Sequence, residues 1–516
     1  MLWLVLAGLP LAYAQPPVNG GMCAGLTKFQ IPGASLAIAK AEQIPAAAAG
    51  TTRINPNAPA TIGVALPSYC RVDGAIDSRT GAGGKSYGIG FALALPGNWN
   101  GRFLFQGGGG LNGNVALPLG AAASGGIPAL ARGFAVVTTD TGHKGAGAFD
   151  GSFFQDQQAS LDFYYVAIGR VAVLAKQMIA AYYGRAAEHS YYVGCSTGGR
   201  EAMLMSQRYP SYFDGIVSGD PAMRTGHSNL ALAWAAVAFN QAAPKDASGK
   251  PGPLFSDADK KLVVDSILNA CDEKDGLKDG MIFHPQACTF DPAVLICQGA
   301  KTSVCLTAPQ VSGLKKAFAG PKDSRGNEIY PGFPYDAGIA DTGGIPGLLN
   351  GARSPVAPPN MDTEFDADRA VARITADYNA RIGDTTWTNL STFSSHGGKL
   401  LFYHGLSDPW FSPLDTLEYY ERMTKDNGGA SQVEAWSRLY LVPGMGHCQG
   451  GSATLDSFDM LSAITGWVEK GTAPDSVVAT GRAFPGRSRP LCAYPKHAQY
   501  TGQGDPNDAK NFVCRE

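Results

Sequence analysis

The sequence predicts an α/β fold, a mostly parallel β-sheet covered by helices on both faces and interrupted by one large insertion. Three observations carry this expectation. The apolar runs Phe103-Leu104-Phe105, Phe134-Ala135-Val136-Val137 and Leu400-Leu401-Phe402-Tyr403 are continuous rather than alternating, as strands buried on both faces are. Stretches with apolar residues at helical spacing lie between strands, the clearest from about Leu161 to Tyr183, apolar at Tyr165, Ile168, Val171, Val173, Leu174 and Met178. The strand–helix rhythm then stops after residue 220 and resumes at Lys399, across a stretch crowded with prolines, glycines and four of the ten cysteines.

In chain order, Met1–Ala14 is a short apolar segment ending in Ala-x-Ala and reads as a signal peptide cleaved after Ala14, although no Lys or Arg precedes it. Apart from it, no stretch is apolar and long enough to read as a membrane span. Residues to about Pro67 are Pro- and Ala-rich and read as mostly irregular. Strands are expected at Tyr87–Leu95, Phe103–Gln106 and Phe134–Asp140, then a helix to Tyr183. After the insertion come a strand at Lys399–His404, a helix near Pro413–Met423, a strand at Arg438–Val442 and a helix from about Leu455 to Lys470. The organisation expected is a catalytic domain in two parts, 15–220 and 397–516, separated by a lid domain at 221–396. A formal charge of −2 gives no electrostatic footprint for nucleic acid or an anionic membrane. The sequence leaves the oligomeric state open.

The chemistry centres on Tyr191-Tyr192-Val193-Gly194-Cys195-Ser196-Thr197-Gly198-Gly199-Arg200, a strand-like run entering Gly-x-Ser-x-Gly, with helical spacing at Ala202, Met203 and Met205 beyond it. Strand, sharp turn and helix make this a nucleophile elbow, and the fold an α/β-hydrolase fold with a large inserted lid domain. A serine hydroxyl needs a base, and the base an orienting acid, in the chain order Ser, Asp or Glu, His. Asp408 lies just beyond the strand ending in His404, and His447 just beyond the strand ending in Val442. Among eight histidines, His143 precedes the serine, His404 reads as a core histidine at a strand end, and His497 lies in the C-terminal tail. The oxyanion donors expected are the N–H groups of Thr197 and of Gly110, or of its neighbour Gly109, in the run Gly107–Gly110. That run also suits phosphate, but the Gly-x-x-x-x-Gly-Lys-Ser/Thr pattern is absent.

An even count of ten cysteines agrees with an oxidising compartment, so a secreted or periplasmic location is expected. Counting does not fix connectivity. By proximity Cys271 goes with Cys288, Cys297 with Cys305, and Cys492 with Cys514, while Cys23 and Cys70 tie the N-terminal arm to the body. Cys195 precedes the nucleophile and Cys448 follows the base, so a hydrogen-bonded Ser196 and His447 bring their neighbours within bridging distance.

Gly194-Cys195-Ser196-Thr197-Gly198-Gly199-Arg200-Glu201, Gly405-Leu406-Ser407-Asp408 and Val442-Pro443-Gly444-Met445-Gly446-His447-Cys448 together resemble the tannase and feruloyl esterase family of α/β-hydrolases, from about Cys23 to Cys514. That family includes tannin acyl hydrolases, feruloyl esterases and bacterial enzymes that cleave mono-(2-hydroxyethyl) terephthalate. The resemblance implies hydrolysis of small aromatic esters, feruloyl, hydroxycinnamoyl or galloyl, with terephthalate monoester hydrolysis as the alternative. A non-catalytic binding module is disfavoured because no triad member is missing. The resemblance also implies a structural calcium ion in the lid loop Cys271–Met281, held by the side chains of Asp272, Asp275 and Asp279 and the carbonyls of Leu277 and Met281. Trp410 and Phe411, just past the acid, are expected to wall a flat acyl group. A free carboxylate on the substrate calls for a lid arginine, and Arg224, Arg353, Arg369, Arg373 and Arg381 are the candidates.

Overall fold

The computed structural model describes residues 23–53, 60–351 and 353–516, so the signal peptide expected at Met1–Ala14 lies outside the described residues. The main sheet runs β1 (Leu36–Ile44), β2 (Tyr69–Thr80), β3 (Ser86–Pro96), β4 (Arg102–Gln106), β5 (Ala135–Thr139), β6 (His189–Cys195), β7 (Gly215–Gly219), β8 (Lys399–Gly405) and β9 (Ser437–Val442). Its spatial order is β1-β2-β3-β5-β4-β6-β7-β8-β9. β5, β4, β6, β7, β8 and β9 pair in parallel. β1, β2 and β3 extend one edge with antiparallel pairings.

Strand periodicity divides the buried side chains between two layers. Phe103, Phe105, Val137, Tyr192, Ile216, Leu400 and Phe402 enter one core. Their neighbours Leu104, Val136, Tyr191, Val193, Val217, Leu401 and Tyr403 enter the other. The first core is closed by the helices Ala167–Tyr183, Thr197–Arg208 and Pro413–Asp426, the second by Met460–Lys470. This double coverage explains why the strands read as continuous apolar runs.

Two expectations are corrected and a third is extended. The segment before Pro67 is mostly irregular among its described residues, but it also contains edge strand β1, Leu36–Ile44 paired with β2. The helix expected from Leu455 begins at Met460, where the Asp459 side chain accepts the Ser462 N–H as an N-cap. Helical structure at Gln157–Tyr183 is long and apolar enough to cross a membrane, contrary to the sequence reading, yet Ile168, Val171, Leu174 and Met178 are buried in the first core. A π turn at Asp162–Val166 interrupts this helix.

Between β7 and β8 none of the described residues joins the main sheet. This insertion has a core of its own around the helices Thr225–Ala242, Asp257–Cys271 and Ala308–Phe318. Capping boxes start two of them, Ser256 with Asp259 and Thr307 with Gln310. After β9 the chain adds a three-stranded and a two-stranded sheet.

Candidate active site

β6 ends at Cys195 and the next helix begins at Thr197, leaving Ser196 alone to turn the chain. Its backbone sits at φ 63°, ψ −123°, a conformation that costs a non-glycine residue about 1–3 kcal/mol and persists only where the surroundings impose it. Two glycines impose it. A Cβ on Gly194 would lie 2.4 Å from the Gly198 carbonyl oxygen, and one on Gly198 would lie 2.7 Å from that of Gly108. The Ser196 N–H donates to Gly219 O (3.0 Å), and Ser196 O accepts from the N–H groups of Arg200 (3.0 Å) and Ala222 (3.1 Å).

The N–H of Thr197, at the first position of the helix, has no intrahelical acceptor. Its hydroxyl donates to the carbonyl of Gly110, which brings the glycine loop beside the elbow. Gly110 sits at φ 58°, and a Cβ there would lie 2.3 Å from Ala148 O. Glu201, fully buried, holds this loop: its carboxylate accepts from Gly108 N–H (3.0 Å), Asn112 Nδ2 (3.0 Å) and Tyr192 OH (2.7 Å). In the sequence Glu201 stands only as the last residue of the elbow motif; a carboxylate next to Arg200 carries no local sign of burial.

Asp408 and His447, far apart in sequence, meet at the ends of β8 and β9. His447 Nδ1 lies 2.7 Å from Asp408 Oδ2, while Asp408 Oδ1 accepts the N–H groups of Trp410 (2.8 Å) and Phe411 (3.1 Å). His447 Nε2 is buried with no hydrogen-bond partner among the described residues. Burial alone would raise the Asp408 carboxyl, but the His447 and His404 imidazoles outweigh it and hold it well below the usual carboxylate range. Burial would likewise lower His447, and Asp408 outweighs it, so the imidazolium is held above its ordinary value.

A second imidazole and carboxylate lie behind this pair. His404 Nε2 is 3.3 Å from Asp408 Oδ2 and 3.7 Å from Asp220 Oδ1, and all three side chains are fully enclosed. Burial pushes Asp220 up to about 6, against the pull of His404. His404 is a core histidine, as its sequence position suggests, but its ring faces the acid; Asp220 had no signal beyond following a strand.

A cavity of about 390 Å³ opens in front of Ser196 and Thr197, with Gly110, Trp410 and Phe411 in its wall. The rings of Trp410 and Phe411 lie 5.1 and 5.3 Å from that of His447. Phe149, Phe154, Phe163 and Tyr164 add aromatic surface, and the insertion contributes Asn229, Leu232, Val356 and Ala380. None of the five lid arginines proposed from sequence lines it. Arg224 instead pairs with Asp415 and packs over the Tyr330 ring. Arg200 does reach the wall, but its guanidinium donates to Tyr164 O (2.9 Å) and Phe163 O (3.2 Å). A larger groove of about 920 Å³ lies beside the Cys195–Cys448 bridge and contains neither Ser196 nor His447.

All five expected disulfides are present: Cys23–Cys70, Cys195–Cys448, Cys271–Cys288, Cys297–Cys305 and Cys492–Cys514. In the loop that follows Cys271, Gly276 and Gly280 both adopt φ 87° and fold the chain back on itself. Asp272 accepts the N–H groups of Asp279 (3.1 Å) and Gly280 (2.8 Å), and Asp275 those of Leu277 (3.2 Å) and Phe283 (2.9 Å). Met281 is fully buried and Leu277 half-buried, so both of these carbonyl-bearing positions lie within the folded loop. Asp279 pairs with the buried Arg489 through Oδ2, while its Oδ1 is buried with no hydrogen-bond partner among the described residues. Three carboxylates in one folded loop supply the oxygen-ligand chemistry that suits a hard cation, but among the described residues their oxygens do not converge into one ligand cluster, and Arg489 and Arg487 already face Asp279.

A model of the family described as tannase and feruloyl esterase matches residues 70–353 and 354–515. The chain is 40% identical to a mono(2-hydroxyethyl) terephthalate hydrolase of Piscinibacter sakaiensis, over 89% of this chain and 86% of that one. It is 32% identical to a probable feruloyl esterase B-2 of Aspergillus terreus, over 81% and 82%. The crystal structure of feruloyl esterase B from Aspergillus oryzae aligns over 96% of this chain and 99% of its own with a TM-score of 0.76 and 26% identity. An elbow, a buried Asp–His pair and an aromatic cavity thus sit in a chain whose sequence and fold match the same group: the protein belongs to the tannase and feruloyl esterase family, has the α/β-hydrolase fold, and is a carboxylic ester hydrolase.

Proposed function

We propose that the protein hydrolyses esters of neutral aromatic acids, feruloyl or other hydroxycinnamoyl esters or galloyl esters, through a Ser196–His447–Asp408 triad. The observation that carries this reading is the 2.7 Å contact of His447 Nδ1 with Asp408 Oδ2, which leaves a buried, unpartnered Nε2. Because Asp408 only accepts, Nδ1 carries the proton and Nε2 is free to be the base. Ser196 Oγ attacks the ester carbonyl carbon as its proton passes to Nε2, and the carbonyl oxygen takes the negative charge. The N–H groups of Thr197 and Gly110 stabilise that oxyanion. Collapse expels the alcohol, which takes the proton from His447, and leaves an acyl group on Ser196. Water, deprotonated by His447, then attacks the acyl carbon; Ser196 recovers its proton and the acid departs.

The acyl group is placed in the aromatic cavity, with Trp410 and Phe411 as wall and residues 221–396 as lid. A cavity without a free arginine among the described residues favours an uncharged ring. The second reading is hydrolysis of mono-(2-hydroxyethyl) terephthalate, favoured by the 40% identity to a hydrolase of that name. In the lid loop Asp272, Asp275 and Asp279, with the carbonyls of Leu277 and Met281, would hold a calcium ion, whose role is to neutralise buried carboxylates and fix the loop. Five disulfides support export to the periplasm or beyond the cell. Initial rates on methyl ferulate, methyl gallate and the terephthalate monoester, for wild type and Ser196→Ala, test the reading. A hydroxycinnamate or gallate ester turned over fastest, and nothing turned over by Ser196→Ala, is expected. Preference for the terephthalate monoester would select the second reading.

A further inference from the structure

Building on the triad reading, we propose that His404 and Asp220 form a second imidazole–carboxylate pair that holds the triad acid Asp408, making His404 a positioning residue for hydrolysis. His404 is completely buried, and its Nε2 faces three oxygens: Phe411 O at 3.0 Å, Asp408 Oδ2 at 3.3 Å and Asp220 Oδ1 at 3.7 Å. A carbonyl and two carboxylates only accept, so Nε2 carries a proton and its direction is fixed. On the far side of the ring Nδ1 meets the Thr416 hydroxyl at 2.8 Å, a group that serves as donor or acceptor. Asp408 Oδ2 is thereby held from two sides, by His447 and by His404. Without His404 it keeps one partner, and the Asp408–His447 unit is free to pivot away from Ser196.

Asp220 connects this arrangement to the nucleophile. Its Oδ1 accepts the Gly405 N–H (3.0 Å), and the Gly405 carbonyl accepts the Asp408 N–H (3.1 Å), so it braces the turn that carries the acid. Its neighbours in the chain brace the elbow, through Gly219 O to Ser196 N–H and Ala222 N–H to Ser196 O. Asp220 itself sits at φ 36°, a left-handed conformation that a non-glycine residue keeps only when its side chain is held. One short segment therefore fixes the turns of both the serine and the acid.

The titratable groups facing His404 are Asp220 from the end of β7, Asp408 from beyond β8 and His447 from beyond β9. The Tyr403 and Tyr330 phenols, beside Asp220 and Asp408, are raised by burial and stay neutral. The Asp220 charge favours the His447 imidazolium and His404 opposes it, so the two positions act on the base in opposite directions.

The test is kcat, KM and the pH profile of kcat/KM on an aromatic ester for wild type, Ser196→Ala, His404→Asn, His404→Gln and Asp220→Asn. The Asn amide reaches only the place of Nδ1, whereas the Gln amide nitrogen reaches that of Nε2 and can face Asp408 and Phe411 O as the imidazole does. We expect His404→Asn to lower kcat roughly 10- to 100-fold, the scale on which outer partners of functional side chains act, with KM little changed. His404→Gln recovers most of that loss. Asp220→Asn, which keeps the shape and removes the charge, moves the acid limb to lower pH. Wild-type kcat in His404→Asn, or an unshifted acid limb in Asp220→Asn, overturns the proposal while an inactive Ser196→Ala leaves the triad standing. Turnover by Ser196→Ala would instead remove the triad reading itself. Should His404→Asn fail to fold, the limb of Asp220→Asn decides.

Discussion

Removing the Cys195–Cys448 bridge should cost far more stability than removing any short-range bridge, by an amount that follows from the positions of its cysteines. A crosslink stabilises mainly by restricting the unfolded chain, with an entropy that grows as the logarithm of the loop it closes. Cys195 and Cys448 are 253 residues apart, which corresponds to about 5.5 kcal/mol, whereas Cys297 and Cys305 are 8 apart, corresponding to about 2.5 kcal/mol. The comparison of interest is Cys195→Ser/Cys448→Ser against Cys297→Ser/Cys305→Ser, measured by urea unfolding followed by tryptophan fluorescence. The first pair should lose about 3 kcal/mol more than the second. Hydrolysis well below the unfolding midpoint should also fall only in the first pair, because its cysteines adjoin Ser196 and His447. Equal stability losses in the two pairs, or full activity in the first, would refute the reasoning.

Three further outcomes are expected. Asp408→Asn presents an amide to His447 and favours the wrong tautomer; kcat should fall by about 10⁴ with the circular dichroism unchanged. Because His447 must be neutral to act as base and Asp408 holds its imidazolium above the ordinary value, activity should be lost as pH falls through an acid limb above about 6.5, read from kcat/KM. A chelator should lower the thermal midpoint, and calcium at 100 times its dissociation constant should restore about 2.7 kcal/mol, with Asp279→Asn blunting the response in a melting assay.

What the sequence disclosed follows from how local each signal is. The elbow was legible because the glycines at 194 and 198 and the strand and helix around them lie within one continuous stretch of chain. Asp408 and His447 were legible because each closes a loop directly beyond an apolar strand. β1 was not, because Ala37, Ala39 and Ala41 give little contrast between faces and the strand is completed by pairing with β2. The brace formed by Asp220 and His404 was not either: its hydrogen bond to Gly405 spans 185 residues, and no pattern within one segment encodes such a meeting. The partners of the lid arginines were not legible either: Arg224, one of five candidates for a free substrate carboxylate, is satisfied by Asp415.

Hydrolysis through the triad requires that Ser196 carry the acyl group between its two steps. Rapid quench of the enzyme with a slowly deacylating aromatic ester, followed by peptide mass spectrometry, tests it most directly. A mass increase of one acyl unit on the peptide containing Ser196, absent after Ser196→Ala, is the result expected. An acyl group on another residue, or full turnover with Ser196 never modified, would contradict the mechanism.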